Sequence, residues 1–241
     1  MSVARHGRTE LIHRLIRMKR LISYTLLLFL ITSCAGSPNQ HLVSEFEDRT
    51  FQSSISLVMI ELEPLFDRFP DHSFGAFRPE ERDHVEGRLD QILSETTTAT
   101  IRGFDLDLDQ EKVPFERREL EVRNGPFNMI LPEEGTLLGS QNRGSRFVII
   151  LDQYRFEPYE QIIRGDSYAG HEGEVQHRMR FETKYAIWDN QNGEAIAWGT
   201  IDTNHLHLST NRPLMYDNLL LQAMRKIIEV SPFPEREGPQ L

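Results

Sequence analysis

The 241-residue chain has a single cysteine, Cys34. No intramolecular disulfide can form, so whatever folds here is held by burial alone. An internal repeat, a long low-complexity tract, a phosphate-cradling glycine loop and a paired-carboxylate pattern are all missing. The apolar run at residues 21–31 (LISYTLLLFLI) is shorter than the about 20 residues that a membrane-crossing helix needs, and Ser23 and Thr25 interrupt it. Positive charge is scarce outside the first 33 residues. Those hold six of the 27 Lys and Arg and one of the 37 Asp and Glu, which leaves 21 against 36, a formal charge of −15. Such an acidic body argues against nucleic acid and anionic headgroups as general partners, because phosphates bind where Lys and Arg cluster.

What is present begins at the N-terminus. Met18-Lys19-Arg20, the apolar run and Thr32-Ser33-Cys34-Ala35-Gly36 follow the basic, apolar, small layout of an export signal. Counted from Met1 the signal is unusually long; counted from Met18 it has the normal length, so translation is expected to start at Met18. The segment Ile31-Thr32-Ser33-Cys34 resembles the lipobox of bacterial lipoproteins, in which an aliphatic residue and two small ones precede the modified cysteine. That resemblance implies that the Cys34 sulfur receives a diacylglycerol, that cleavage falls between Ser33 and Cys34, and that the new amine is acylated. In Gram-negative relatives Asp after the cysteine retains the protein in the inner membrane. Ala35 stands here and implies the outer membrane, facing the periplasm. Several acyl chains make a firm anchor, each buried CH₂ being worth about 0.8 kcal/mol. The expected division is a signal at 1–33, a lipidated N-terminus and flexible tether at 34–50, one folded domain at 51–233 and a disordered tail at 234–241.

Hydrophobic residues, 39% of the chain, suffice for one core of that size. Residues 54–60 (SISLVMI) read as a buried strand. Residues 79–95 read as a helix, with Pro79 in its first turn and Val85, Leu89, Ile92 and Leu93 on one face. A strand at 97–104 follows. Residues 105–128 are the least readable, with an edge strand at 115–122, and a short helix is expected at 132–141. Residues 146–156 (RFVIILDQYRF) read as the strand at the sheet centre. Residues 176–188 alternate cleanly, Asn192-Gly193 marks a hairpin, residues 195–203 return as a strand, and residues 213–230 form the last helix. The prediction is an α/β fold of the α+β type: one domain, a mixed sheet with a C-terminal antiparallel hairpin, and two main helices at about 79–95 and 213–230. This order, with Ile187-Trp188-Asp189 and Gly193-Glu194 leading to Gly199, resembles the compact α/β domain of envelope lipoproteins and periplasmic factors. Examples are the N-terminal domain of TolB, the curli-secretion lipoprotein and the lipoprotein activators of penicillin-binding proteins. The likeness rests on element order and one hairpin and carries no functional residue.

Three chemical constellations compete with plain surface chemistry. Asp105, Asp107, Asp109 and Glu116 echo the spacing of a calcium loop, but Gln110 stands where the sharp turn needs glycine. Gly165-Asp166-Ser167 with Asp202-Thr203-Asn204-His205 resembles the serine and Asp-x-x-His blocks of GDSL-type hydrolases, in the right order but both in the C-terminal half. His205 and His207 share a strand face and can meet His171 or His177 at a metal, without a cysteine or carboxylate at diagnostic spacing. No catalytic residue, metal or cofactor is therefore assigned. Two functions remain. One is a lipid-anchored, non-catalytic binding or assembly module with a protein partner in the envelope. The alternative is an envelope hydrolase using Ser167 and His205 or a histidine-bound metal. Tyr154, Phe156, Tyr159 and Tyr168 are docking candidates for the first, with burial as the competing explanation.

Overall fold

Residues 147–151 (FVIIL) put large apolar side chains on both faces of a strand, which demands packing above and below. In a computed structural model, which describes residues 39–104, 108–139, 144–163 and 173–236, this run opens a long strand inside a six-stranded mixed sheet. In chain order the elements are β1 (Gln40–Leu42), β2 (Ser54–Met59), α1 (Leu62–Leu65), α2 (Pro79–Thr96), β3 (Thr100–Phe104), β4 (Phe115–Val122), β5 (Gly125–Pro132), β6 (Phe147–Ile163), β7 (Glu174–Asp189), β8 (Glu194–Leu206) and α3 (Arg212–Glu229). The sheet order is β1-β8-β7-β6-β2-β3. Strand β2 is parallel to β3 and β6, the other pairs are antiparallel, and β4–β5 form a separate hairpin. All of this belongs to one unit, residues 37–241. The chain is thus an α/β fold of the α+β type, with the expected C-terminal hairpin and two main helices.

The two-residue period of β7 supplies both faces of the sheet. Met179, Phe181, Tyr185 and Ile187 join Val85, Leu89, Ile92 and Leu93 of α2 and Leu220, Ala223, Met224 and Ile227 of α3 in one core. Ala186 and Trp188 point the other way, into a second core with Leu120, Met129, Ile130 and Leu131 of the β4–β5 hairpin. Helix α2 opens with Pro79, and the Arg78 N–H donates to the Glu81 carboxylate at 2.9 Å. Helix α3 is capped by Asn211, whose side-chain oxygen accepts the Leu214 N–H.

Four expectations change. Residues 133–139 are irregular, where a helix was expected over 132–141. Gly135 sits at φ +82, its N–H donates to the Gly193 carbonyl at 2.8 Å, and Asn190 bonds both backbone groups of Leu138, so tertiary bonds replace a helical ladder. Gly193, at φ +68, packs against Gly135 so closely that no Cβ fits between them. Part of the expected tether at 34–50 belongs to the body: β1 pairs with Ala197–Gly199 of β8, and Phe46 is buried. The reason is that β8 is an edge, and β1 satisfies part of it. At the other end Thr97 bridges to Glu235, and the Arg236 N–H donates to the Thr96 carbonyl, so the first residues of the expected tail are also docked. Finally β5 fills the least readable stretch, paired with β4 through the turn at Arg123 and Asn124.

Strands β6, β7 and β8 outrun the layers that cover them. Beyond Phe156 and before Met179 their residues are mostly exposed, which leaves a three-stranded arm. Within it the alternation of backbone directions, fixed by the Thr200 N–H that donates to Asn39, turns the Pro158 nitrogen away from β7. The proline therefore removes no bond from the ladder.

Candidate functional site

An aspartate in the middle of an apolar strand must be partnered, because a buried charge alone is prohibitively costly. Asp152 is 0% exposed. Both its carboxylate oxygens lie 3.0 Å from His72 Nε2, and Oδ2 accepts the Ile130 N–H at 2.8 Å. The Thr183 hydroxyl donates to the Asp152 carbonyl. The β6–β7 register shifts here, between Asp152 and Arg155, and Gln153 takes φ +52, a left-handed conformation strained for any residue but glycine. Freed by that bulge, the Gln153 amide and the Lys184 ammonium both donate to the Asn128 carbonyl, at 3.1 and 2.9 Å. Central strand, β5 and the segment carrying His72 are thus pinned at one point.

Over this clamp opens a cavity of about 590 Å³, lined among others by Phe74, Gln153, Arg155, Glu182, Lys184 and Asp202. Part of the charge in it is internally balanced: Arg155 pairs with Glu182 at 2.6 Å. Arg180, outside the lining, pairs with Glu182 at 3.0 Å and with Glu157 at 2.6 Å. Lys184 has no ion pair among the described residues; it lies over the Phe127 ring at 5.6 Å. Burial holds its ammonium below the usual lysine range, against the pull of Asp152. Burial likewise raises the Asp202 carboxyl, opposed by Arg180, and pushes the Tyr154 hydroxyl up to about 12. The cavity offers interleaved donors and acceptors to a polar ligand. The His72–Asp152 pair lies beneath it and does not line it.

The residues singled out from sequence fare differently. Ser33, Cys34, Asp105, Asp107, Ser167, Tyr168 and His171 lie outside the described residues. Asp202 and His205 both lie on β8, and a spacing of three in a strand sends side chains to opposite faces, so the Asp-x-x-His block forms no acid–base dyad. His205 Nδ1 is 2.8 Å from the Leu206 carbonyl. His177 lies 3.4 Å from Glu160, and His207 reaches it through a backbone bond to the His177 carbonyl. Among the described residues no three His, Cys, Asp or Glu side chains are grouped to hold a metal. Asp109 pairs with Lys112 and Glu116 with Arg118. Tyr154 and Phe156 are buried, Phe156 among Phe77, Phe181 and Tyr216, so they offer no docking surface; Tyr159 stays partly exposed under Arg180. Sequence reasoning missed His72 and Asp152. The available signal was the acid at the end of FVIIL, a charge in a strand expected to be buried on both faces.

No helix among the described residues is long and apolar enough to cross a membrane. No protein-family model and no curated protein matches the sequence. The similar solved structures include the following two. A PelC dodecamer from Paraburkholderia phytofirmans is 11% identical, with 81% of this chain and 98% of that chain covered and a TM-score of 0.38. A minor lipoprotein from Acinetobacter baumannii is 13% identical, with 76% of this chain and 97% of that chain covered and a TM-score of 0.31. Likenesses of this size assign no function to the chain.

Proposed function

We propose that the chain is a lipid-anchored protein of the bacterial envelope, held at the outer membrane and facing the periplasm, whose body is a non-catalytic binding or assembly module for another envelope protein. The observation that carries this reading is the stretch from Lys19 to Gly36, where a basic start, an apolar run and the Ile31-Thr32-Ser33-Cys34 segment meet the only cysteine of the chain. Confinement to a membrane raises the effective concentration of the body near envelope partners, so a modest interface suffices. The cavity over the Asp152 clamp supports the binding role, because Arg155 and Glu182 in its lining are paired with each other while the Lys184 ammonium, without an ion pair among the described residues, is left to meet a ligand. For the hydrolase alternative, the opposed faces of Asp202 and His205 remove the orienting acid that a serine nucleophile's histidine needs.

Growth of the producing bacterium with an alkyne fatty acid, followed by mass spectrometry, is expected to find an N-terminal peptide beginning at Cys34 and carrying the label. An internal, unmodified Cys34 in the mature protein overturns the anchor. The start site is tested separately. Met18→Leu is expected to abolish the processed protein in membranes, read by immunoblot; unchanged amounts would place the start upstream.

A further inference from the structure

Three features that cost stability meet at the cavity over the Asp152 clamp. Gln153, in its lining, holds the left-handed φ of +52. Beneath it Asp152 and His72 bury a polar pair where apolar side chains of similar volume commonly serve a core as well. Lys184, also in the lining, keeps a half-buried ammonium without an ion pair among the described residues. Folds break such rules where function requires it, so their meeting around one hollow points to a ligand. The volume of about 590 Å³ is within the range usual for ligand sites.

The lining selects the chemistry of that ligand. An ammonium has three N–H donors, and Lys184 gives one of them to the Asn128 carbonyl. Asp152 attracts the charge from below, but its oxygens already serve His72 and the Ile130 N–H, so the ammonium can take an anionic oxygen from the cavity. Lys184 faces Thr200 across β7 and β8, which makes Asp202 its diagonal neighbour at about 7–8 Å and places Glu182 two residues away on the same face. Two carboxylates beside one open cation disfavour phosphate and other dianions, as does the acidic body at large. They favour a monoanion that carries N–H donors next to its charge. The end of a peptide has that pattern, one carboxylate followed by amide N–H groups. The opposite wall is fixed in advance, which lowers the cost of binding. The Ala76 N–H donates to the Tyr154 carbonyl at 3.1 Å, and a Cβ on Gly75 would meet the Tyr154 nitrogen at 2.3 Å.

We infer that the cavity takes the C-terminal carboxylate of a peptide or protein chain, with the carboxylate on the Lys184 ammonium and an N–H of the last residues donated to Asp202. This names the chemistry of the partner proposed above and rests on that binding role. The lipid at Cys34 plays no part in it.

Three peptides test it by calorimetry on the full-length protein purified from membranes in detergent: acetyl-Gly-Ala-Ala with a free carboxylate, the same peptide as its C-terminal amide, and acetyl-Gly-Asp-Ala amide. The free acid is expected to bind roughly tenfold more tightly than its amide or better, the scale of one charge-assisted hydrogen bond. Lys184→Met, at a position outside both cores, is expected to remove that preference with the fold intact by circular dichroism, and Lys184→Arg to keep most of it. Equal binding of acid and amide, or a preference that survives Lys184→Met, overturns the assignment. Tighter binding of the aspartate peptide shifts recognition to an acidic side chain and overturns the chain end. Binding of none of the three also overturns the site, and crosslinking in intact envelopes then separates the two readings. A captured envelope protein leaves the binding module standing, and no capture removes both.

Discussion

Asp152→Ala is expected to lower the stability of residues 37–241 by about 3–5 kcal/mol, since two buried donors are each left without an acceptor at about 1–3 kcal/mol and the packing of the side chain is lost as well. The substitution strips His72 Nε2 and the Ile130 N–H of their acceptor in a region with no exposure, and it empties the point where three segments meet. A whole domain is stable by only about 5–15 kcal/mol, so the loss is a large share of it. Asp152→Asn keeps one carbonyl oxygen for Ile130 or His72 and is expected to fall between. Urea unfolding followed by tryptophan fluorescence measures both. A loss under about 1 kcal/mol for Asp152→Ala, the net worth of one ordinary hydrogen bond, contradicts the clamp.

Trp188→Ala is expected to cost about 3–5 kcal/mol as well, from a different source. The indole is the largest fully buried side chain among the described residues, set among Leu120, Met129, Ile130 and Leu131 between sheet and hairpin. Its Nε1–H donates to the Thr136 carbonyl at 3.1 Å, which helps hold residues 133–139 in their irregular path. The alanine variant therefore leaves a cavity and loosens that segment. Trp188→Phe retains most of the volume but not the N–H. Unfolding in urea, followed by circular dichroism because one tryptophan is gone, measures the loss in both. Limited proteolysis at 133–139 reads the loosening, expected in both variants and absent in wild type. A Trp188→Ala protein as stable as wild type, with that segment still resistant, would show the second core to be dispensable.

How much of this was legible depends on the distance over which a residue's role is set. Local signals performed well: the period of β7, the apolar face of α2, Pro79 at its start and Asn192-Gly193 in the last hairpin each depend on neighbours within a few residues. Strand β4 was expected at 115–122, but its return strand β5 was missed although Asn124-Gly125 stands at the turn, because Pro126 and Pro132 of GPFNMILP argue against a strand. The helix expected at 132–141 failed to a competition that no local window contains: Gly193 and Asn190 claim the backbone of residues 133–139 from across the fold. The clamp follows the same rule. His72 and Asp152 are separated by 80 residues, and only the oddity of an acid in FVIILD pointed to one of them. Tyr154 and Phe156 stayed open between docking and burial for a similar reason, since nothing in the sequence says that Phe77 comes to cover them.

The placement of Pro158 bears on a hazard of any long, uncovered strand. An open edge of backbone groups is a template, and a neighbouring molecule that adds a strand to it can seed an indefinitely growing fibril. Along β6 that template is interrupted at Pro158, which has no N–H to offer an incoming carbonyl. On the opposite rim the Lys226 ammonium occupies the Asp202 carbonyl at 2.6 Å, and His205 lies against that of Leu206. The arm can therefore project three bare strands into a crowded compartment while giving other copies little with which to polymerise.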